Sequence, residues 1–121
     1  MMKHGVSDMA KFVVKQINMT SEQRRIINES AKKGICPDFY DRYLNATNFP
    51  TADKIRAAYN DYQIVAEIEA TDLEDVFEIG NMGPESAITR LAPMHSLSVG
   101  DIVVTPEGKE YFVASFGFEE V

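Results

Sequence analysis

Two apolar segments near the end of the chain are joined by a turn that fixes how they run relative to each other. The turn is Thr105-Pro106-Glu107-Gly108, which places proline at the second position of a type I turn and glycine at a left-handed position. Residues 102–105 and 111–118 flank the turn and are rich in Val, Ile, Tyr and Phe, which favour strands. The sequence therefore predicts an antiparallel hairpin in this region.

A strand, a helix cap and a helix follow one another early in the chain. Residues 11–18 are rich in Val and Ile and alternate moderately in polarity, which is typical of a strand. Thr20 and Gln23 then form a capping box, in which each side chain accepts a hydrogen bond from the other residue's backbone N–H. The helix is expected to end at Gly34, because glycine tolerates the left-handed backbone of a helix terminus.

The same order of strand, helix cap and helix recurs 51 residues later. Residues 63–70 alternate as a strand does, with Ile64, Ala66, Ile68 and Ala70 expected on one side and Val65, Glu67 and Glu69 on the other. Thr71 and Glu74 form a second capping box, and Gly80 is the expected end of the second helix. The sequence therefore predicts two βα units side by side in one sheet.

Three shorter elements complete the prediction: a helix beginning near Pro37, a helix capped by Thr51, and a strand at residues 87–91. The fold class is α+β, with a small mixed or antiparallel sheet, short helices packed on one face and a C-terminal β-hairpin. Residues 1–121 are expected to form a single domain. Its parts are a loose tail (1–10), a strand with helices (11–61) and the remainder (62–121).

Charge is distributed unevenly along the chain. Residues 1–61 contain ten Lys or Arg against seven Asp or Glu, whereas residues 62–121 contain two against twelve. An acidic half does not suit contact with a phosphate backbone, which requires Lys and Arg. It favours either a basic partner or simply a well-solvated surface.

Three segments in the second half resemble a known family. They are LEDVF at 73–77, SLSVGDIV at 96–103 and YFVASFGF at 111–118, and together they resemble the YodL-like domain family. Family members have similar LEDIF, SLSVSDVI and YYVDSFGF segments, so Gly100 stands where serine is usual and Ala114 where aspartate is usual. The resemblance covers residues 62–121 and leaves the N-terminal half unmatched.

The resemblance implies an α+β module carried by bacteriophages, plasmids and other mobile elements, often inside large multi-domain proteins. Such proteins are thought to help an incoming element to establish itself or to evade host defences. The family supplies no accepted catalytic residues, so the resemblance implies a biological context rather than a reaction.

The acidic half and the resemblance together predict a non-enzymatic protein-binding module of a mobile element. The module is expected to act on a host or element protein, with a basic surface, through an acidic surface of its own. We define the acidic surface by eight carboxylates: Glu67, Glu69, Asp72, Glu74, Asp75, Glu78, Glu119 and Glu120. A first alternative is a DNA mimic, whose carboxylates stand in for phosphates and occupy a nucleic-acid-binding host protein.

A second alternative is a small hydrolase centred on His95. Ser96, Ser98 and Asp101 lie close to it in sequence and supply the residue types of a catalytic triad. No Gly-x-Ser-x-Gly elbow surrounds either serine, and short polar residues of this kind commonly bond the backbone of a tight turn. The turn interpretation is therefore favoured, and pairing of the lone Cys36 with His95 is a still weaker possibility.

Other binding chemistries find little support in the sequence. The aromatic residues at 111–118 resemble a stacking platform for single strands, but they lack nearby cations, so core packing is the favoured interpretation. The acidic helix following residue 71 has no histidine at metal-ligand spacing. No cofactor, metal, direct nucleic-acid contact or membrane segment is expected, and the bacterial cytoplasm is the expected location.

Overall fold

The computed structural model describes residues 9–121 and contains an antiparallel sheet of six strands. The strands are β1 (Ala10–Gln16), β2 (Gln63–Ala70), β3 (Ile88–Arg90), β4 (Ile102–Val104), β5 (Glu110–Val113) and β6 (Phe118–Glu120). The helices are α1 (Ser21–Lys32), α2 (Asp38–Thr47), α3 (Ala52–Ala57) and α4 (Leu73–Met82). Most of the tail predicted at 1–10 lies outside the described residues, and Ala10 already belongs to β1.

Strand β1 lies inside the sheet although it comes first in the chain. The strand order is β3-β2-β1-β4-β5-β6, so β1 pairs with β2 on one side and with β4 on the other. Every pairing is antiparallel. The predicted α+β class, with an antiparallel sheet and a C-terminal hairpin, is confirmed.

The sheet has an apolar core on each face. Adjacent residues of a strand point to opposite faces, and in β4 Val103 enters one core while Ile102 enters the other. Val76 and Ile79 of α4 cover the first core. Ala46 of α2 and Ile55 of α3 cover the second core. The helix α4 thus packs on one face while α2 and α3 pack on the other, instead of all sharing one face, because β4 is apolar on both sides.

The helix caps follow the sequence closely, with one exception. The capping box of Thr20 and Gln23 is present, and Thr51 caps α3 by accepting a hydrogen bond from the backbone N–H of Lys54. The predicted cap of α4 at Thr71 is wrong by one residue. Asp72 is the N-cap and accepts from the backbone N–H of Asp75, whose own carboxylate accepts from the N–H and the hydroxyl of Thr71.

The prediction that α4 ends at Gly80 is also wrong. The helix continues to Met82, and Gly83 is the cap, with a φ of 87°. A Cβ atom added at Gly80 would lie 2.5 Å from Cδ1 of Leu97. Gly80 is therefore explained by the close approach of the segment that carries Leu97, and not by the end of the helix.

Two predicted strands differ in detail from the observed ones. The strand predicted at 111–118 is two strands, because Ala114 and Gly117 form a turn between β5 and β6 in which the Ala114 N–H donates to the Gly117 carbonyl. In β2, the predicted alternation is interrupted by a bulge opposite Val14 and Lys15. The bulge buries Val65 together with Ala66, while Ile64 is 49% exposed.

Candidate functional site

A buried pair of polar side chains anchors the segment 95–101 to the central strand. The Gln16 carboxamide donates from Nε2 to the His95 carbonyl and to Asp101 Oδ2, each over 3.0 Å. Its Oε1 accepts from the backbone N–H of His95 over 3.2 Å. Gln16 and Asp101 are the two polar residues buried in the described part of the chain, and they bond each other.

Asp101 closes a tight turn at the end of this segment. Its Oδ2 accepts from the backbone N–H of Ser98 over 2.9 Å, and its own N–H donates to the Ser98 carbonyl. Burial raises the pKa of the Asp101 carboxyl to about 6, although the hydrogen bond from Ser98, the charge of His95 and the hydrogen bond from Gln16 act in the opposite direction. The favoured interpretation of these residues as turn formers therefore agrees with the hydrogen bonds observed.

Gly100 is where α2 meets this turn. Its φ of 95° is left-handed, and a Cβ atom at this position would overlap the carbonyl oxygen of Ala46. Tyr62 lies at the end of the loop before β2, and its hydroxyl donates a hydrogen bond to the Gly100 carbonyl. Burial raises the Tyr62 pKa, and the nearby carboxylates of Asp101 and Asp61 raise it further. The turn is thus held from three parts of the chain: β1, α2 and the loop before β2.

A small pocket of about 230 Å³ opens beside the turn, which we call the turn pocket. Its lining combines polar and aromatic side chains: Ile17, Tyr43, Thr47, Tyr62, His95, Ser98, Val99, Gly100 and Asp101. His95 and Ser98 are exposed, whereas Asp101 is 4% exposed. The turn pocket therefore has a buried carboxylate and an accessible side.

The geometry of a catalytic triad is not formed by residues 9–121. His95 Nδ1 lies 2.7 Å from the Ser96 carbonyl oxygen, and the Asp101 carboxylate bonds Gln16 and the Ser98 backbone instead of the imidazole. The exposed Cys36 thiol lies 3.7 Å from the carbonyl oxygen of Pro37. No hydrogen bond joins the His95 ring to a hydroxyl, a thiol or a carboxylate in this part of the chain.

A larger depression of about 420 Å³ lies between α4 and the turn that joins β5 to β6, and we call it the acidic groove. Two carboxylates line it together with apolar and small residues: Glu74, Phe77, Glu78, Val99, Val113, Ala114, Ser115, Gly117 and Phe118. The neighbouring Phe116 is 94% exposed, and Phe77 is 37% exposed. Within residues 9–121, neither Glu74 nor Glu78 has a Lys, Arg or His nitrogen within 4 Å.

The eight carboxylates of the acidic surface do not share one face. Glu74 and Glu78 line the acidic groove, whereas Asp72 and Asp75 are engaged in capping α4. Glu67 and Glu69 alternate with the buried residues of β2 and so project from the face opposite α4, where Glu67 lies 4.0 Å from the Lys11 ammonium. The remaining two, Glu119 and Glu120, are on the edge strand β6.

The other charged and aromatic candidates are also dispersed. Phe112 is fully buried in the second core, whereas Phe116 is the most exposed large apolar residue described. The aromatic residues at 111–118 therefore form no single stacking surface. On α1, Arg25 pairs with Glu22 and Glu29.

Sequence reasoning missed Gln16 and Tyr62 as parts of the site. Gln16 follows Phe12 and Val14 at the inward positions of β1, and a polar residue at such a position signals a buried hydrogen-bond network. For Tyr62, nothing local in the sequence indicates that its hydroxyl bonds a turn 38 residues away.

Comparison with protein-family models, curated proteins and solved structures finds no match for this chain. The described residues contain no group of three or more His, Cys, Asp or Glu side chains placed to hold a metal ion. None of their helices has the length and apolar character needed to cross a bilayer.

Proposed function

We propose that this chain is a protein-binding module of a bacteriophage or another mobile element, and that it acts on a host or element protein through the acidic groove. The partner segment carries apolar side chains for the floor of the groove and Lys or Arg side chains for its carboxylates. The observation that carries the proposal is the acidic groove itself, where exposed phenylalanine rings stand beside two carboxylates that pair with no cation among residues 9–121.

Apolar contact supplies most of the affinity in this proposal. Phe77 and Phe118 line the groove and Phe116 stands beside it, so a partner would cover aromatic surface that is now in water. Burying one phenylalanine side chain stabilises a complex by about 1.5–3 kcal/mol. Glu74 and Glu78 would add selectivity and a faster association with basic segments, because complementary charge steers the encounter.

The resemblance to the YodL-like family supports the choice of this groove. Eight of the nine residues that line it fall within the LEDVF, SLSVGDIV and YFVASFGF segments, the exception being Glu78. The three segments are separate in sequence and meet at one surface. The mobile-element context of the proposal rests on this resemblance alone.

The test is selection from a library of random twelve-residue peptides displayed on phage. We expect selected peptides to combine Lys or Arg with aromatic or aliphatic residues, and we expect the Glu74→Lys/Glu78→Lys double variant to bind them at least about tenfold more weakly. Asp75 is left unchanged because its carboxylate bonds Thr71 at the start of α4.

The matched control is the Glu29→Lys/Glu107→Lys variant, which makes the same change in net charge at exposed positions outside the acidic surface. The control should bind the selected peptides as the wild type does at 150 mM salt. Equal weakening by both double variants, or selection of peptides without basic residues, would refute the proposal. Capture from a bacterial lysate with the same variants then identifies the natural partner.

The two alternatives gain no support from the geometry. A DNA mimic needs its carboxylates in one phosphate-like array, and here Glu67 and Glu69 project from the face opposite α4. A hydrolase centred on His95 needs the imidazole to meet a nucleophile, and its Nδ1 faces the Ser96 carbonyl.

A further inference from the structure

The turn pocket contains a carboxylate oxygen that accepts no hydrogen bond from residues 9–121. Asp101 Oδ2 is used twice, by Gln16 and by the backbone of Ser98, whereas Oδ1 accepts no hydrogen bond from the residues described. Among residues 9–121, one side-chain polar atom is both fully enclosed and without a hydrogen-bond partner, and that atom is Glu110 Oε1. Because Asp101 Oδ1 also lacks a partner, it is not fully enclosed. Asp101 is only 4% exposed and lines the turn pocket, so its free oxygen faces that pocket.

The surroundings of this oxygen favour a positively charged group. Among residues 9–121, no Lys, Arg or His nitrogen lies within 4 Å of the Asp101 carboxylate. A buried carboxylate without a counter-ion is costly, and a bound cation would offset that cost. Tyr43 and Tyr62 also line the pocket, and aromatic rings attract cations through the negative faces of their π systems.

The pattern of hydrogen bonds selects among cations. A guanidinium group prefers to bond both oxygens of a carboxylate, and Oδ2 is already occupied. A divalent metal ion needs several oxygen ligands, and the described residues contain no cluster that supplies them. An ammonium group is a compact point charge that needs only one strong acceptor and a small space.

We propose that the turn pocket binds a primary alkylammonium group, with Asp101 Oδ1 as its acceptor and Tyr43 and Tyr62 as its aromatic walls. The volume of about 230 Å³ suits the end of one such side chain. This inference is independent of the function proposed above, because it concerns a different pocket. The two pockets share Val99 as a lining residue. The ammonium group comes either from a lysine side chain of a partner protein or from a free amine.

The experiment is an NMR titration of the ¹⁵N-labelled protein at pH 7.5 with n-butylammonium chloride. At this pH the Asp101 carboxyl is ionised, because its pKa is about 6. We expect saturable shifts of the backbone amides at 98–101. Two comparators are titrated in the same way. Butan-1-ol has the shape of n-butylammonium without its charge, and n-butylguanidinium carries its charge on a planar group. Equal affinity for either comparator, or shifts located elsewhere, would overturn the proposal.

The Asp101→Asn variant tests the acceptor directly. Asparagine retains an oxygen that accepts from Gln16 and Ser98 but removes the charge, so n-butylammonium should bind about tenfold more weakly or worse. Glu107→Gln makes the same change in net charge in an exposed turn and should bind as the wild type does. If Asp101→Asn does not fold, Tyr43→Leu takes its place, with a loss of several-fold expected from removing one aromatic wall.

A second titration separates the two sources of the ammonium group. The probe is the blocked tripeptide acetyl-Gly-Lys-Gly-amide. Shifts of the amides at 98–101 with the tripeptide assign the pocket to a lysine side chain of a partner. Shifts with n-butylammonium alone assign it to free amines, and the absence of shifts with both probes would overturn the proposal.

Discussion

Gly100 and Asp101 are neighbours in the chain, and each is constrained by a different distant element. Gly100 lies against the carbonyl of Ala46 in α2, whereas Asp101 bonds Gln16 in β1. Glycine has a physical reason at position 100, because α2 occupies the space that a side chain would need.

Replacement of Gly100 by alanine should therefore destabilise the fold strongly. We expect Gly100→Ala to lower the free energy of unfolding by about 3 kcal/mol, since the left-handed backbone and the overlap with Ala46 both oppose a Cβ atom. Urea denaturation measures the change. Gly108→Ala is the control, because Gly108 is equally left-handed but has nothing within 4 Å, so it should lose only about 1 kcal/mol. Equal losses would show that the contact with α2 has no energetic role.

The buried carboxyl of Asp101 should make stability depend on pH. Its pKa of about 6 is above the value of about 4 for an unfolded aspartate, so the folded protein binds more protons between these pH values. The contribution of Asp101 to stability is therefore fully present below pH 4 and is lost as the pH rises through 6. We expect wild type to lose up to about 3 kcal/mol relative to Asp101→Asn between pH 4 and pH 7.

Urea denaturation at a series of pH values checks this expectation. Glu107→Gln serves as the control, because the Glu107 side chain is exposed. A plot of this variant's free energy of unfolding against pH should run parallel to that of the wild type. A parallel curve for Asp101→Asn as well would mean that the buried carboxyl does not titrate in this range.

At the scale of elements, the sequence predicted which helices and strands are present better than it predicted where each one begins and ends. The hairpin at 105–108, the caps at Thr20 and Thr51 and the strand at 63–70 are confirmed, because local backbone chemistry determines them. The end of α4 was predicted wrongly because Gly80 has a packing role that only Leu97 explains. The prediction of a single strand at 111–118 is wrong because a turn that contains Ser115 and Gly117 interrupts the apolar run.

The start of α4 offers a test at the same scale. Asp72→Ala removes the N-cap and should cost about 1 kcal/mol of stability. Thr71→Ala removes only a partly exposed hydrogen bond to Asp75 and should cost less. Thermal unfolding followed by circular dichroism ranks the two variants. The reverse order would restore Thr71 as the cap, as the sequence predicted.

At the scale of the whole molecule, the long-range arrangement could not be predicted. The pairing of β1 with β2 and β4, and the bond between Gln16 and Asp101, join residues that are 47 or more positions apart. For the same reason, the acidic surface could be predicted only from the composition of residues 62–121. The sequence could not show that, of its eight carboxylates, Glu74 and Glu78 are the two that line the acidic groove. Alternation identifies which residues are buried, but not which distant residues they meet.

The central position of β1 predicts that residues 62–121 do not fold alone. In residues 62–121, β2 pairs with β3 and β4 pairs with β5, but β1 is the strand that joins the two groups. We expect this fragment to unfold without a cooperative transition. Addition of a separate fragment of residues 9–61, which supplies β1 together with α2 and α3, should restore the transition. The same fragment with Val14→Asp should not, because Val14 is fully buried. A cooperative transition of the fragment alone would contradict the prediction.

The interior place of the first strand also has a consequence during biosynthesis. A ribosome adds on the order of ten residues per second, so β1 leaves the tunnel several seconds before β2 and on the order of ten seconds before β4. Throughout that time, its Phe12 and Val14 side chains and both of its hydrogen-bonding edges lack their final partners. The nascent chain is then open to aggregation and to chaperones that recognise extended apolar segments.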